Sequence, residues 1–473
     1  MSDVAAPRSR VPRGFLAALA LLTAAFIALA VARADRATLR GDEVVTLYGI
    51  RDGPGIAELM RRGAPGQVSP APLFYVPSLL LDRIKGQVDY FGLRPSGYFR
   101  LPSVLFTAVL GAASAWLMAR HLRRQEPAPS PVAYFLVLCA VAVYWSQPKM
   151  FAFACLDRPY ALWNGLWLLS LTVFLVHPKA RLAPAILLSL MAATAIPAFF
   201  QIAALGSSFY AIRRREGGRA RDILSDAARI FTAPVLIAIY YATRTWAESS
   251  DGMTVESETI PALLRFWMVT NLHAWLAAAV SAFLVWKFPR LRPSAIPVAA
   301  FCVLLVIVPV IFGLATRRGF TNPSRYYIWT TTALPLAILL AAQGWTELRA
   351  WAPARKLVPV LAGGLVLGFS AATLLRPAER HDSRRLACFD PGSSLDVLLR
   401  KERPFAISFY ETLGPIERSN LRLVGEWIEI RYARLPVALV VVPFHDANGE
   451  LISEPPVPEK EFHRGLWLIP TCH

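Results

Sequence analysis

Long apolar stretches recur along most of this chain, and they constrain its fold more than any other feature. A helix that crosses a bilayer needs about 20 predominantly apolar residues. By length and composition there are about eleven candidates. They lie near residues 15–32, 101–118, 131–147, 159–176, 182–196, 197–212, 229–246, 266–286, 294–315, 326–343 and 356–375. The pattern predicts an all-α polytopic membrane protein over residues 1–375.

The fifth and sixth stretches, at 182–196 and 197–212, are short and meet at Ala195-Ile196-Pro197. A tight helical hairpin and a single bent segment both fit this pattern, so the number of crossings stays open there. The first stretch follows a basic leader, and no convincing small-residue cleavage site comes after it. We therefore predict an uncleaved first helix rather than a signal peptide.

Composition supports the membrane class and bears on the partners. Hydrophobic residues make up 55% of the chain and charged residues only 17%, whereas a soluble protein would carry about a quarter charged residues. The net charge of +18 raises the question of nucleic-acid binding. The basic residues, however, cluster in short loops beside apolar stretches. This placement indicates anionic membrane lipid as the partner and argues against nucleic acid.

The short loops alternate between rich and poor in positive charge, which predicts the orientation of the chain. Cytoplasmic loops carry an excess of Lys and Arg. The basic loops precede the first stretch and follow the second, fourth, sixth, eighth and tenth stretches. Their cations are Arg8, Arg10, Arg13, Arg120, Arg123, Arg124, Lys179, Arg181, Arg213, Arg214, Arg215, Arg219, Arg221, Lys287, Arg290, Arg292, Arg349, Arg355 and Lys356. We predict a cytoplasmic N-terminus and, with an odd number of crossings, an extracytoplasmic C-terminus.

The first extracytoplasmic loop, residues 33–100, is long and mixed in character. It contains the acidic pair Asp42-Glu43 and a short amphipathic helix predicted over Ile56–Arg62. A Pro-rich aromatic stretch and an apolar piece follow between residues 69 and 84. Apolar segments of this kind suit helices that lie along the membrane interface. Pro102 is expected in the first turn of the next span.

The acidic pair is the first candidate for chemistry. A carboxylate at the exit of a span costs little, and in an aqueous site at that depth Asp42 could take the proton from an acceptor hydroxyl. Glu43 could hold a divalent cation through water, or it could cap a helix. The plainer alternative is a solvated loop pair, which describes most Asp-Glu dipeptides.

Several basic residues on the predicted outer side break the charge trend and are candidates for binding phosphate. Arg158 and Arg325 each stand at the start of a predicted span, and Lys149 is a weaker candidate for the same role. A guanidinium offers a planar, bidentate fork to phosphate oxygens. The alternatives are that each arginine snorkels to the interface or that Arg158 pairs with Asp157.

The C-terminal region, residues 376–473, is soluble in character and is predicted to form a small α/β domain outside the cytoplasm. A helix is expected over residues 393–400, and buried strands are expected over 405–409, 437–442 and 466–469. Cys388 and Cys472 both fall in this region, and in an oxidising compartment they could pair as a disulfide.

Other chemistry-bearing patterns are absent from the sequence. The histidines show no metal-ligand spacing, and no zinc pattern, Gly-rich phosphate loop or nucleophile elbow occurs. No metal site is therefore predicted from these motifs. His273 lies inside the predicted span at 266–286 and is expected to be a packed helix-interior residue, although with Asn271 it could face a cavity.

An ordered set of short motifs resembles glycosyltransferase family 39, which holds the protein O-mannosyltransferases, with the aminoarabinose transferases of lipid A as relatives. The motifs are Asp42-Glu43 after the first span, the Pro-rich aromatic stretch, Arg100-Leu101-Pro102-Ser103, Arg158-Pro159-Tyr160-Ala161-Leu162 and Arg325-Tyr326. The resemblance covers about residues 15–345. One departure is that many relatives carry His-Pro-Pro where this chain has Pro70-Ala71-Pro72.

The resemblance implies the GT-C membrane fold, a polyprenyl-phosphate-linked sugar donor, and an active site at the outer face of the membrane. It implies transfer with inversion to the hydroxyl of a protein, lipid or glycan acceptor. By resemblance, Asp42 matches the essential acidic residue and Glu43 its neighbour, which could orient the sugar. Arg158 and Arg325 match positions near the donor phosphate. The tyrosines within or beside these motifs, Tyr75, Tyr160 and Tyr326, are candidate pocket residues.

Two other classes of function remain open from the sequence. A lipid or sugar-lipid transporter would need a polar path across the bilayer, yet the ionisable residues gather at one face. A catalytically inactive scaffold could instead recruit partners through its C-terminal domain. The Ala- and Arg-rich composition suggests a bacterial inner membrane.

Overall fold

The computed structural model describes residues 11–36, 55–62, 72–93, 95–126, 128–248, 267–315 and 327–375, with strand segments at 406–407, 437–441, 444–445, 451–452 and 466–470. Helices dominate this part of the chain. The α-helices are α1 (Arg13–Arg36), α2 (Ile56–Arg62), α3 (Tyr75–Val88), α4 (Pro95–Gln125), α5 (Pro131–Ser146), α6 (Pro148–Ala154), α7 (Tyr160–Val176), α8 (Leu182–Ala192), α9 (Ala198–Arg215), α10 (Ala220–Glu248), α11 (Leu272–Lys287), α12 (Ala295–Ala315), α13 (Ala333–Gln343), α14 (Trp345–Leu348) and α15 (Ala352–Leu375). Short 3₁₀ helices cover Asp89–Gly92, Pro289–Ser294 and Ile328–Thr332.

Several of these helices are long and apolar enough to cross a membrane. Within the described residues five qualify, and the pair α5 and α6 would add a sixth if it counts as one bent span. The five segments are Arg13–Asp35, Gly97–Gln125, Ala220–Thr243, Pro289–Val308 and Ala352–Leu375. Each of the eleven predicted stretches contains a helix. Up to residue 375, the described part of the chain therefore has the all-α class of a membrane protein, and the count of eleven crossings stays a prediction.

Two boundaries differ from the predictions. α4 begins at Pro95, so Pro102 lies inside this helix and not in its first turn. α10 begins at Ala220, earlier than the predicted 229, because its first turns are polar and an apolar window does not detect them. The fifth and sixth stretches form two separate helices, α8 and α9. Between them the Ala193 carbonyl accepts a hydrogen bond from the Leu73 N–H at 3.0 Å.

The chain divides into two compact units, and most of the helices belong to the first. Unit 1 comprises Met1–Ala30, Ser69–Phe74 and Ser103–Arg376. In this unit α5 packs against α13 and α15, α8 packs against α7 and α10, and α9 packs against α10 and α12. α11 packs against both α12 and α13. Large side chains with less than 2% exposure fill the interior, among them Trp163, Trp167, Phe174 and Phe301.

Two glycines allow α4 to approach its neighbours closely. A Cβ atom added at Gly111 would lie 2.6 Å from Trp145 Nε1 of α5, and one at Gly165 of α7 would lie 2.6 Å from Leu110 Cδ1. Trp145 Nε1 is itself fixed, because it donates a hydrogen bond to the Thr107 carbonyl at 3.0 Å. These contacts require glycine at both positions.

Unit 2 comprises Val31–Val68, Tyr75–Pro102 and Pro377–His473. The predicted helix at Ile56–Arg62 is confirmed as α2, which packs against α3. Arg100 is buried, with 1% exposure, and its Nη1 donates to the Ala34 carbonyl at 2.8 Å. This bond satisfies one of the carbonyls that the C-terminus of α1 leaves without an intrahelical partner.

The C-terminal part of unit 2 contributes short strands. They are β1 (Ala406–Ile407), β2 (Val437–Val441), β3 (Phe444–His445), β4 (Leu451–Ile452) and β5 (Leu466–Pro470). One antiparallel sheet has the order β1-β5-β2, with Leu439 opposite Leu468, and β3 pairs with β4. A strand therefore occurs in each of the three predicted strand stretches, and β5 extends one residue past its stretch, to Pro470. The predicted helix at 393–400 falls outside the described residues, so the α/β domain stays a prediction.

Candidate functional site

Two of the predicted phosphate-binding residues flank the short helix α6, Lys149 near its start and Arg158 in the turn that follows it. α5 ends at Ser146, and the axis of α6 is bent by 66° relative to it. Pro148 causes the break, because proline lacks an N–H and clashes with the carbonyl four residues earlier. Gln147 accordingly leaves the helical region, with φ −58° and ψ 125°, as is usual for a residue before proline. Lys149 is the second residue of α6, and Arg158 lies in the turn before α7.

Neighbouring helices hold this turn in place. The Ser103 hydroxyl of α4 is 3.5 Å from the Arg158 carbonyl, and Cys155 Sγ is 3.5 Å from the Ala30 carbonyl of α1. Asp157 is fully buried, whereas Arg158 and Lys149 are half-buried. Both cations therefore keep access to the surface from a partly desolvated position.

A network of buried amides connects α6 and α7 to the 3₁₀ helix at Ile328–Thr332. Gln147 Nε2 donates to the Thr331 carbonyl at 2.7 Å, and Asn164 Nδ2 donates to Thr331 Oγ1 at 2.8 Å. Asn164 Nδ2 also lies 3.1 Å from Met150 Sδ on α6. All three polar residues are at most 3% exposed. We call this set the Gln147–Asn164–Thr331 network, and it fixes the helix that carries Lys149.

His273 lies in the first turn of α11, half-buried, and interacts electrostatically with Lys149. A third basic residue thus lies near Lys149. The neighbouring Asn271 is buried and donates hydrogen bonds to the Trp267 carbonyl and Thr270 Oγ1, both at 3.1 Å. Asn271 is therefore engaged within its own segment.

Aromatic side chains surround this end of unit 1. The ring of Tyr160, the first residue of α7, packs edge-on against Phe153 with 4.9 Å between centroids. Trp267 packs against Tyr327 at 4.1 Å and against Trp329 at 6.0 Å. The other pocket candidate among the described residues, Tyr75, belongs to unit 2, and in that unit it is 1% exposed at the start of α3.

The arginine-rich turns meet at the other end of unit 1. Arg290 forms a salt bridge with Glu126 at 3.0 Å and donates to Thr346 Oγ1 at 2.6 Å. Arg213 donates to the Pro178 carbonyl at 2.8 Å, and the Lys287 ammonium lies 4.3 Å from the Trp351 ring centroid. Further contacts in this region are Arg181 with Asp226 at 2.7 Å and His121 with Gln343 at 3.3 Å.

We call this end, formed by the turns after α4, α7, α9, α11 and α13, the arginine-rich face. Burial lowers the pKa of His177, which follows α7 there, and Arg124 and Arg120 lower it further. Arg158 precedes α7 and His177 follows it. The helix has 17 residues and spans about 25 Å at 1.5 Å per residue. Lys149 and Arg158 therefore lie at the opposite end of α7 from the arginine-rich face.

Several predicted site residues lie outside the part of the chain that the structure describes. They are Asp42, Glu43, Arg325, Tyr326, Cys388 and Cys472. Their roles stay predictions. Among the described residues, no group of three or more His, Cys, Asp or Glu side chains is placed to hold a metal ion, and the thiols of Cys139 and Cys155 are both buried.

Sequence reasoning missed Gln147, Asn164 and Thr331. The available signal was an uncharged amide within or beside a long apolar stretch. A polar side chain inside the membrane usually has a structural or functional reason to be there. No protein-family model and no curated protein matches the sequence.

Proposed function

We propose that this chain is a membrane glycosyltransferase that moves a sugar from a polyprenyl-phosphate-linked donor to the hydroxyl of a protein, lipid or glycan. The observation that carries the proposal is the placement of Lys149 and Arg158. Both cations are half-buried, Lys149 near the start of α6 and Arg158 in the turn after it, at the end of α7 away from the arginine-rich face. A partly desolvated cation interacts more strongly with a phosphate than one in open water, so this turn suits a lipid-linked phosphate.

The reaction needs two kinds of group. Asp42 removes the proton from the acceptor hydroxyl, whose oxygen forms a bond to the anomeric carbon with inversion. The bond from that carbon to the phosphate oxygen breaks, and the electron pair leaves with the polyprenyl phosphate. Arg158 and Lys149 stabilise the negative charge that develops on this leaving group. A lipid phosphate is already a good leaving group, so a strong general acid is unnecessary.

The remaining roles rest on the sequence. Arg325 is the second guanidinium for the donor phosphate, and Tyr75, Tyr160 and Tyr326 are candidate pocket residues. Glu43 orients the sugar or binds a divalent cation through water. The GT-C architecture, an extracytoplasmic C-terminal domain and a bacterial inner membrane complete the proposal.

The decisive experiment replaces Asp42 by Asn in the full-length protein. Removing a general base lowers the rate by about 10²–10⁴, so the product should disappear. Cells that lack the protein are complemented with wild type or with the variant. Their envelope glycans, glycolipids and glycoproteins are then compared by mass spectrometry. Asp222→Asn, an exposed carboxylate in the first turn of α10, is the matched control and should restore the product.

Two results would overturn parts of the proposal. A normal product level with Asp42→Asn would remove the proposed base. Identical glycans, glycolipids and glycoproteins in cells with and without the protein would remove the enzyme assignment. Arg158→Gln should weaken binding of the polyprenyl-phosphate donor to the purified protein, and an unchanged affinity would remove its phosphate role.

A further inference from the structure

Five basic residues from three elements come together at the arginine-rich face. His121 of α4 interacts electrostatically with His177, Arg124 and Arg290. His177, after α7, interacts in the same way with Arg124 and Arg120. We call these five residues the His–Arg cluster. It lies at the end of α7 away from Lys149 and Arg158.

Hydrogen bonds fix the framework behind the His–Arg cluster. Gln343 Nε2 lies 3.3 Å from His121 Nε2, and Gln343 Oε1 accepts from the Ser294 hydroxyl at 3.1 Å. Gln343 and Ser294 are both buried. Arg290 donates to Thr346 and, at 3.3 Å, to Gln125 Oε1. These bonds hold His121 and Arg290 in place at this face.

The charge in the cluster is poorly compensated. Every charged group that acts on the two histidines is basic. Glu126 neutralises Arg290 through its salt bridge at 3.0 Å. Arg124, by contrast, has neither an ion pair nor a hydrogen bond from its side chain within the described residues. Neighbouring arginines of like charge repel each other, so a bound anion would relieve the repulsion among Arg120, Arg124 and Arg290.

Exposed tryptophans show at which depth the cluster lies. Trp116 is 40% exposed one turn before Arg120, whose guanidinium lies 5.4 Å from the centre of its ring. Trp351 and Trp286 are also exposed at this face. Tryptophan is enriched at the level of the lipid headgroups, where its ring is apolar and its N–H is wet. The anion that reaches this depth most readily belongs to a lipid.

We infer that the His–Arg cluster is a binding site for the phosphate of an anionic phospholipid headgroup. Arg124 supplies the bidentate contact, and His121 and His177 supply ring N–H donors. The acyl chains lie along the apolar surface of α4 beside Trp116. This inference is independent of the proposed transferase activity and concerns the opposite end of unit 1.

The test measures lipid binding to the full-length protein in a neutral detergent. Phosphatidylglycerol and phosphatidylcholine with identical acyl chains are titrated separately, and bound lipid is counted by native mass spectrometry. Wild type should retain phosphatidylglycerol in preference to phosphatidylcholine. Arg124→Gln and His177→Gln should each lower the affinity about tenfold, because each removes one charge-assisted contact to phosphate. Arg124→Lys keeps the charge and should recover part of the binding.

Arg355→Gln is the matched control, because Arg355 is an exposed cation of the same face outside the cluster. An equal loss with Arg355→Gln would show a diffuse charge effect and overturn the site. Equal binding of the two lipids would overturn the anionic specificity. Inorganic phosphate is the third probe. If it binds with the same dependence on Arg124 while phosphatidylglycerol does not, the site takes a soluble anion and the lipid assignment is wrong.

Discussion

A single carboxamide, Asn164, connects three elements beside the proposed phosphate-binding turn. Its Nδ2 donates to Thr331 Oγ1 and approaches Met150 Sδ. The Tyr144 hydroxyl also lies next to it. Because Asn164 is fully buried, water cannot replace these interactions at low cost. The residue therefore contributes to the position of α6 and of Lys149.

Replacing Asn164 with Leu should lower the free energy of unfolding by about 1–3 kcal/mol, because Thr331 Oγ1 loses its donor in a buried setting. The measurement is the midpoint of thermal unfolding in detergent. Ser170→Ala, on the same helix, is the control, since the Ser170 hydroxyl is buried and makes no hydrogen bond in the described residues. Equal shifts for the two variants would contradict the role given to Asn164.

Among the individual residues of the candidate site, the charged ones could be identified from the sequence more easily than the neutral ones. Lys149 and Arg158 stand out, because cations are rare on the predicted outer side. In the sequence Asn164 is only a single polar residue within an apolar stretch, and its partner Thr331 lies 167 positions away along the chain. Periodicity describes neighbours within a helix and cannot identify a contact of such separation.

Among the elements, α4 is the helix whose packing depends most visibly on glycine. Gly111 faces Trp145 of α5, and Gly165 of α7 faces Leu110 of α4. Close approach through small residues is a common way to pack helices in membranes, where burial from water no longer drives association. α15 is different, since Gly364 and Gly368 have no atom within 4 Å of an added Cβ.

Gly165→Ala should lower the free energy of unfolding by about 1–3 kcal/mol, because the new methyl group overlaps Leu110 and forces α4 and α7 apart. Gly364→Ala is the matched control, because Gly364 also lies inside a helix but has no atom within 4 Å of an added Cβ. Alanine has the higher helix propensity, so the control should be neutral or slightly more stable. Thermal unfolding of both variants in one detergent decides the comparison. Loss of stability in the control alone would refute this packing.

Element positions followed from the sequence wherever a long apolar run defined them. All eleven runs contain helices, but α6 was not predicted. Its seven residues, Pro148–Ala154, come immediately after an apolar run. A segment this short does not show the helical repeat of apolar residues on which the prediction depends. The prediction for the run at 131–147 ended at the right place because Pro148 terminates α5. The direction that α6 takes after Pro148 depends on the hydrogen bonds of Gln147 and Asn164 with Thr331.

Over unit 1 as a whole, the basic turns share one end, whereas Lys149 and Arg158 lie at the other. The alternation of loop charge along the sequence predicted this division. It could not predict the contacts that build the arginine-rich face, such as Arg290 with Glu126 or Arg213 with Pro178. Those contacts join turns that are distant in sequence and depend on how the helices pack.

Cysteine labelling tests the orientation of the whole molecule. In a variant without native cysteines, Lys179→Cys should react with a membrane-impermeant maleimide only after spheroplasts are permeabilised. Asp251→Cys, in the loop predicted to be outside, should react in intact spheroplasts. The physical reason is the preference of basic loops for the cytoplasm. Labelling of Lys179→Cys in intact spheroplasts would reverse the proposed orientation and place the arginine-rich face outside.

The bond between Gln147 and Thr331 has a consequence for biosynthesis. α6 is only about 10 Å long at 1.5 Å per residue, so it cannot span a bilayer alone. The carbonyl that accepts the hydrogen bond from Gln147 Nε2 belongs to Thr331, 184 positions later in the chain. At 5–20 residues per second, a ribosome needs roughly ten to forty seconds to reach it. Throughout that interval the nascent segment must wait for its final partner, sheltered by earlier helices, water or the insertion machinery.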